Sequence, residues 1–294
     1  MIITNKYNLP QAYVDAVKET HPIIEKHYSV TGLLNPIREL LLKRRHYDEI
    51  EQDVSDMVWL LFGSAVHKII EESDKTGYAE YELEQQIIGD YKLTGICDLY
   101  NESEFAVEDH KTVSVYKIIK QDFDDWKKQG LMYAWMLRKQ GKLVTKLRFH
   151  ALMKDWSAKD YRQSQYSGKF YPEHPIWTWE HEITENDMIF IESFIFDKFK
   201  EIVEAEKLSD DELPICSMEE RWNDGEKYKI VKAGQKRALK ITNDEAEALT
   251  IAQSNNAAIE TIKGEDRKCK DYCLVCKFCK HWKENFDEVR NNGQ

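Results

Sequence analysis

The spacing of apolar positions divides the chain into recognisable elements. Val58, Leu61, Phe62, Ala65, Val66, Ile69 and Ile70 recur at helical intervals and predict a helix over 56–73. Three strand-like runs follow, 78–88, 91–100 and 104–111, separated by Gly89-Asp90 and by Asn101-Glu102-Ser103, which are turn-forming sequences. A helix is expected over 122–139, ending near Gly141, then a strand over 143–152 and a long helix over 185–205. Residues 1–50 read as mostly helical, with an amphipathic piece at 37–45 after Pro36. The stretch 153–185, rich in Trp and Tyr, is expected to be turn-like. Helix, three-stranded meander, helix and strand in that order predict an α/β core with a mixed central sheet flanked by helices.

Beyond residue 205 the pattern changes. Long apolar runs become scarce, and basic residues and cysteines accumulate. Two domains are therefore expected: a core at 1–205 that includes the helical N-terminal region, and a basic, cysteine-rich segment at 206–294.

Composition narrows the class. Of 294 residues 42% are hydrophobic and 12% aromatic, too many for a disordered chain. No apolar run approaches the roughly 18 residues of a membrane span, and the N-terminus lacks the basic-then-apolar pattern of a secretory signal. A folded, soluble, cytoplasmic protein without a membrane partner is expected, in host cytoplasm if the chain is viral. Lys and Arg total 42 against 53 Asp and Glu, a net charge of −11 that disfavours nucleic-acid binding by the whole surface. Two segments reverse the sign locally. Lys227, Lys229, Lys232, Lys236, Arg237 and Lys240 occur without an acidic residue between them, and 267–283 carries six basic residues against Asp271. A solvated face accounts for such runs. So does a DNA contact, because Arg221-Trp222 and Tyr228 add the aromatic rings that suit base stacking.

The chemistry-bearing residues sit on the meander. If its second turn centres on Glu102-Ser103, Asp98 falls opposite Val107 and Asp109 lies diagonally on the same face, about 7–8 Å away. Lys111 joins that face by strand alternation. Two carboxylates and an ammonium at one end of a sheet suit a divalent cation, whereas an isolated Asp-x-Lys is more simply a surface ion pair. Cys97 alternates to the other face and is expected to be a small buried side chain. On the first helix His67 and Glu71 are four residues apart and face the same way, so Glu71 is expected to accept a hydrogen bond that fixes the His67 tautomer.

In chain order, Gly63-x-x-x-His67, Gly95-Ile96-Cys97-Asp98, Asp109-His110-Lys111-Thr112 and Gln129-x-x-x-Tyr133 resemble the RecB-like branch of the PD-(D/E)xK nuclease superfamily, over roughly residues 55–155. The resemblance implies a restriction-endonuclease-like core and a metal-dependent DNA nuclease. The implied role is that of an exonuclease in phage or bacterial recombination or repair. Its site residues would be Asp98, Asp109 and Lys111 for catalysis, with His67, Asp98 and Asp109 binding Mg2+ or Mn2+ and Lys111 serving the attacking water. Gln129 and Tyr133 would help to hold DNA. His110 departs from the family pattern, where an apolar or aromatic residue is usual, and is not expected to touch the chemistry. No phosphate-loop motif is present, so any helicase, like any single-strand-annealing partner, would be a separate chain. A structure-selective endonuclease and a catalytically silent DNA-binding adaptor are the alternatives.

Cys269-x3-Cys273-x2-Cys276-x2-Cys279 is too tight for four independent thiols, and in a reducing compartment it suits zinc or an iron–sulfur cluster. The tail is similar to RecB-like nucleases stapled by a cluster with Cys-x3-Cys-x5-Cys spacing. That similarity implies Cys269, Cys273 and Cys279 as ligands with Cys216 as the remote fourth. It places [4Fe–4S] ahead of Zn2+ and leaves Cys276 as a spare or a substitute.

Overall fold

The computed structural model describes residues 1–18, 23–73, 79–235 and 237–290, apart from the side chains of 287–290. The chain divides into two compact units, 1–35 with 48–207, and 36–47 with 208–294. The helix at 37–45 groups with the C-terminal segment and not with the residues around it in sequence. Its buried side chains explain why: Ile37, Leu41 and Leu42 are apolar, and the buried Arg38 donates to the Pro214 carbonyl at 3.1 Å and to that of Leu213.

In chain order the elements are β1 (Ile2–Thr4), α1 (Gln11–Ala16), β2 (His27–Ser29), α2 (Val30–Leu33), α3 (Ile37–Arg45), β3 (Glu51–Asp53), α4 (Val58–Ser73), β4 (Ala79–Ile88), β5 (Tyr91–Asn101) and β6 (Ala106–Val113). There follow α5 (Val115–Lys120), α6 (Asp124–Lys139), β7 (Lys146–Met153), α7 (Ala158–Ser167), β8 (Ile176–Glu182) and α8 (Glu185–Ala205). The first unit is built on a mixed six-stranded sheet, β2-β5-β6-β7-β8 with β4 on the opposite edge of β5. The pairs β4–β5, β5–β6 and β7–β8 are antiparallel, and β2–β5 and β6–β7 are parallel. Of the predicted strand 78–88, Tyr78 lies outside the described residues.

The meander register differs from expectation by two residues. Leu99 pairs with Glu108, Tyr100 with Val107 and Asn101 with Ala106, so Tyr100, not Asp98, stands opposite Val107. The cause is a longer turn, 102–105, closed by Phe105 in the left-handed region at φ 52°. A shift of two preserves the faces, and extending the ladder by one pair sets Asp98 across from Asp109.

The stretch 153–185 is more regular than its composition suggests. It contains α7 and the edge strand β8. Ser157 caps α7 by accepting from the Asp160 amide, and Gly168 ends it at φ 67°, where a side chain would be strained. Only Ser164 of α7 is buried, so the helix carries no apolar stripe to read.

In the second unit β9 (Lys227–Lys232) lies between β10 (Lys240–Thr242) and β11 (Ala257–Ile262), and α9 (Glu245–Asn255) packs on this sheet through Ile230, Ala248 and Ala252. Helices α10 (Arg267–Asp271), which contains Cys269, and α11 (Lys280–Arg290) flank Cys273, Cys276 and Cys279. Among the described residues no helix is long and apolar enough to cross a membrane.

Candidate metal centre

β5 has an interrupted edge. Residues 92–94 pair with β2 and 99–101 with β6, leaving 95–98 without a strand on that side. Gly95 makes the opening possible, because a Cβ there would stand 2.7 Å from Tyr133 Cε1 and 3.0 Å from Val30 Cγ2. At the other end of the gap the ladder stops as a side chain takes the next amide: His110 N donates to Asp98 Oδ2 at 2.9 Å. The same oxygen lies 3.3 Å from His67 Nδ1 on α4.

Asp109 lies beside this opening on β6 and is 1% exposed. Gln129 Nε2 of α6 donates to its Oδ2 at 3.0 Å, and Lys111 Nζ approaches its Oδ1 at 2.7 Å. Tyr133, one turn further along α6, is 4% exposed and Gln129 7%. These two side chains therefore support the site from the core. The DNA-holding role implied for them has almost no surface from which to act; Gln129 positions Asp109, and Tyr133 closes against Gly95.

One ligand candidate escaped the sequence reading. Glu80 offers a carboxylate oxygen that, with His67 and Asp98, forms a set of ligand atoms all within 4.8 Å of one another. Asp109 is not in that set. Glu80 sits in β4 at φ 49°, a conformation strained for a side-chain-bearing residue and common where geometry serves a site. The residue lies where regular pairing skips from Ala79 to Tyr81. A polar residue at the start of a strand gave no signal; only the register of β4 against β5 brings it to Asp98. Glu71 lines the same pocket, but it pairs with Lys68 at 3.3 Å and does not fix His67, which turns to Asp98 instead. His110 also lines the pocket, contrary to expectation, and contributes its backbone amide. Cys97 is fully buried on the opposite face, as alternation requires.

Burial pushes the Asp98 and Asp109 carboxyls above the ordinary carboxylate range, against the opposing pull of the His110 amide on Asp98 and of Lys111 on Asp109. Burial raises Glu80 as well, helped by Glu71. Glu108, the immediate neighbour of Asp109 on the other face, shows the contrast. Burial opposes its ionisation too, yet His150, Asn101 and Arg148 hold it at about 2. At Asp98 and Asp109, by contrast, burial outweighs the cationic neighbours His67 and Lys111. A hard cation with oxygen and imidazole ligands fits this donor set. Within the pH window above the ordinary carboxylate range, the folded protein binds more protons than the unfolded chain, so its metal-free stability falls as pH rises. Divalent cation competes with those protons. The rise in melting temperature produced by Mn2+ is therefore expected to grow with pH across that window; thermal melts at several pH values showing a flat or shrinking effect would contradict the ligand set.

The basic run of the second unit is less available than it reads. Lys227 pairs with Asp224, Lys229 with Glu260 at 2.8 Å and Lys240 with Glu247 at 2.5 Å, while Lys236 lies outside the described residues. Trp222 remains half-exposed against Tyr272. Four cysteines converge in this unit. Cys216, Cys269, Cys273 and Cys279 line one pocket together with Arg38 and Arg221. Cys276 is buried in the turn 276–278 and is not part of that lining.

No protein-family model and no curated protein matches the chain. Among solved structures it is similar to one described as SSO0001, with a TM-score of 0.45 and 16% identity over 65% of this chain and 82% of the other. It is also similar to a phage-related exonuclease from Haemophilus somnus 129PT, with a TM-score of 0.27 and 10% identity over 57% of this chain and 73% of the other. Likeness at these values assigns no family, so the functional reading rests on the site itself.

Proposed function

We propose that the protein is a divalent-metal-dependent deoxyribonuclease of the RecB-like kind, with a restriction-endonuclease-like core. The observation that carries the proposal is the convergence of His67, Glu80 and Asp98 beside a buried Asp109–Lys111 pair. Such a set is suited to phosphodiester hydrolysis. A bound Mg2+ or Mn2+ would supply charge neutralisation at the phosphate and lower the pKa of a water. Asp98, Asp109, His67 and Glu80 would hold the cation. Gln129 keeps Asp109 aimed, and Lys111, 23% exposed in its side chain, is placed to orient the attacking water or meet developing negative charge.

In the second unit Cys216, Cys269, Cys273 and Cys279 would hold a [4Fe–4S] cluster, with Zn2+ as the alternative. Arg38 Nη1 reaches Cys279 Sγ at 3.6 Å and would balance thiolate charge. Burial raises the thiols of Cys216 to about 11 and of Cys269 and Cys273 to about 12, so cluster binding would release protons.

Linear and closed-circular DNA incubated with and without Mg2+ or Mn2+ test the proposal. Metal-dependent loss of the linear form alone supports an exonuclease, working beside a separate annealing protein or helicase. Nicked circles support a structure-selective endonuclease. No change in either, with DNA still bound, would leave only a silent adaptor and overturn the enzymatic reading.

A further inference from the structure

We propose that the N-terminal half of α4 is a stacking platform for the unpaired bases of a single-stranded DNA end, leading to the metal centre; this deepens the nuclease reading and rests on it. The first observation is exposure. The helix has 16 residues and none is buried, so its aromatic side chains serve no core: Trp59 is 58% exposed and Phe62 39%. Their rings meet edge to face, 6.3 Å apart at 86°.

The second observation is charge. Lys154 Nζ stands 4.1 Å from the centre of the Trp59 ring, and its charge also acts on the neighbouring Asp155 carboxylate. On α5 the 59%-exposed Tyr116 carries Lys120 over its ring at 5.2 Å. Asp155, the nearest acid in sequence, is engaged by Ser114 Oγ and the Val115 amide, both at 2.6 Å. Aromatic faces with ammonium groups beside them are the elements that bind single strands without regard to sequence, one stacking bases and the other meeting phosphates. Bases stacked inside a duplex offer no such face, which favours an unpaired end over a paired one.

The third observation is position. A Cβ on Gly63 would lie 3.2 Å from Thr112 Oγ1, so α4 crosses the end of the strand that carries Asp109 and Lys111. Lys154 N donates to the Val113 carbonyl at 2.9 Å, fixing the lysine at that same strand end. From Trp59 to His67 is eight residues, a rise of about 12 Å along the helix. A strand stacked on Trp59 and Phe62 would thus run toward the His67–Asp98 opening.

The test uses the full chain in EDTA, so that binding is read without cleavage. Fluorescence anisotropy compares a labelled oligothymidylate with a blunt duplex of equal length. Trp59→Ala and Phe62→Ala are each expected to weaken oligothymidylate binding about tenfold. Trp59→Phe should retain most of it, and duplex binding and the melting temperature should not change. Lys154→Ala should reduce the slope of log affinity against log salt by about 0.7. Unchanged single-strand binding in both aromatic variants, or equal loss on the two substrates, overturns the platform. So does a wild-type dimer that Trp59→Ala dissociates while DNA binding persists, since the face would then join two copies of the chain. The two readings fail separately. Magnesium-dependent cleavage with no aromatic effect removes the platform alone, and the expected aromatic effect in a protein that fails to cleave DNA even with Mg2+ or Mn2+ present removes the nuclease alone.

Discussion

Asp109→Asn is expected to lower DNA cleavage by about a thousandfold or more while leaving metal-free DNA binding and the melting temperature near wild type. The substitution keeps the shape of the side chain and an oxygen to accept from Gln129 Nε2, now 3.0 Å away, but removes the charge. That charge gives the folded protein little, because burial already raises the carboxyl and Lys111 is its compensation. Lys111 has side-chain exposure of 23% and can turn to water when its partner is neutral. Lys111→Met should also abolish turnover, partly through Asp109. A buried carboxylate deprived of its counter-charge takes up a proton rather than remain ionised. Metal affinity should therefore fall in Lys111→Met and be regained at higher pH. Steady-state cleavage rates, anisotropy in EDTA and thermal melts on the same preparations decide the matter. Near-normal turnover in either variant would remove both residues from the catalytic set. Asp98 is the less clean probe, since Asp98→Ala would also strip the His110 amide of its acceptor and lower stability for that separate reason.

The second large effect is expected from Cys273→Ser. A hydroxyl replaces a thiolate poorly, so the variant should lose its iron or zinc, and the second unit should unfold at a temperature about 10–20 °C lower, the counterpart of about 2–3 kcal/mol in a unit of this size. The loss is bounded because the unit has apolar cores of its own. Leu41, Leu42, Leu213, Val275 and Trp282 are each buried, and Ile230, Ala248 and Ala252 form a cluster. Limited proteolysis should cut first in the irregular 214–226 stretch, while the fragments of the first unit remain resistant. Because Lys227, Lys229 and Lys240 are already paired with carboxylates, DNA affinity should fall much less than stability. Unchanged metal content together with an unchanged melt would show that Cys273 holds no metal.

Strong apolar periodicity is enough to locate an element. Strands β4 to β7 and helices α4, α6 and α8 fall within a few residues of where Val, Ile, Leu and aromatic spacing puts them. Strand alternation was also enough to set Asp109 and Lys111 on one face and Cys97 on the other, because it needs only the period of two. Elements without an apolar stripe were not legible: α7 is polar nearly throughout and buries only Ser164, and capping by Ser157 and Gly168 is a local signal that its surroundings do not amplify.

Which residues meet depends on pairing and packing between distant segments. The register of the meander depends on a four-residue turn closed by Phe105, and this sets Asp98 level with Asp109. Glu80 enters the centre through β4–β5 pairing, across a span of sequence that no spacing rule connects. Gln129 and Tyr133 carry the spacing of a helix face in either role. Only burial against Asp109 and Gly95 makes them supports of the site rather than contacts for DNA. Likewise α3 joins the cysteine-bearing unit because Arg38 reaches the carbonyls of Leu213 and Pro214, which lie over 170 residues away in sequence. Periodicity records which face of a segment is apolar, whereas what that face meets is fixed by packing between segments distant along the chain.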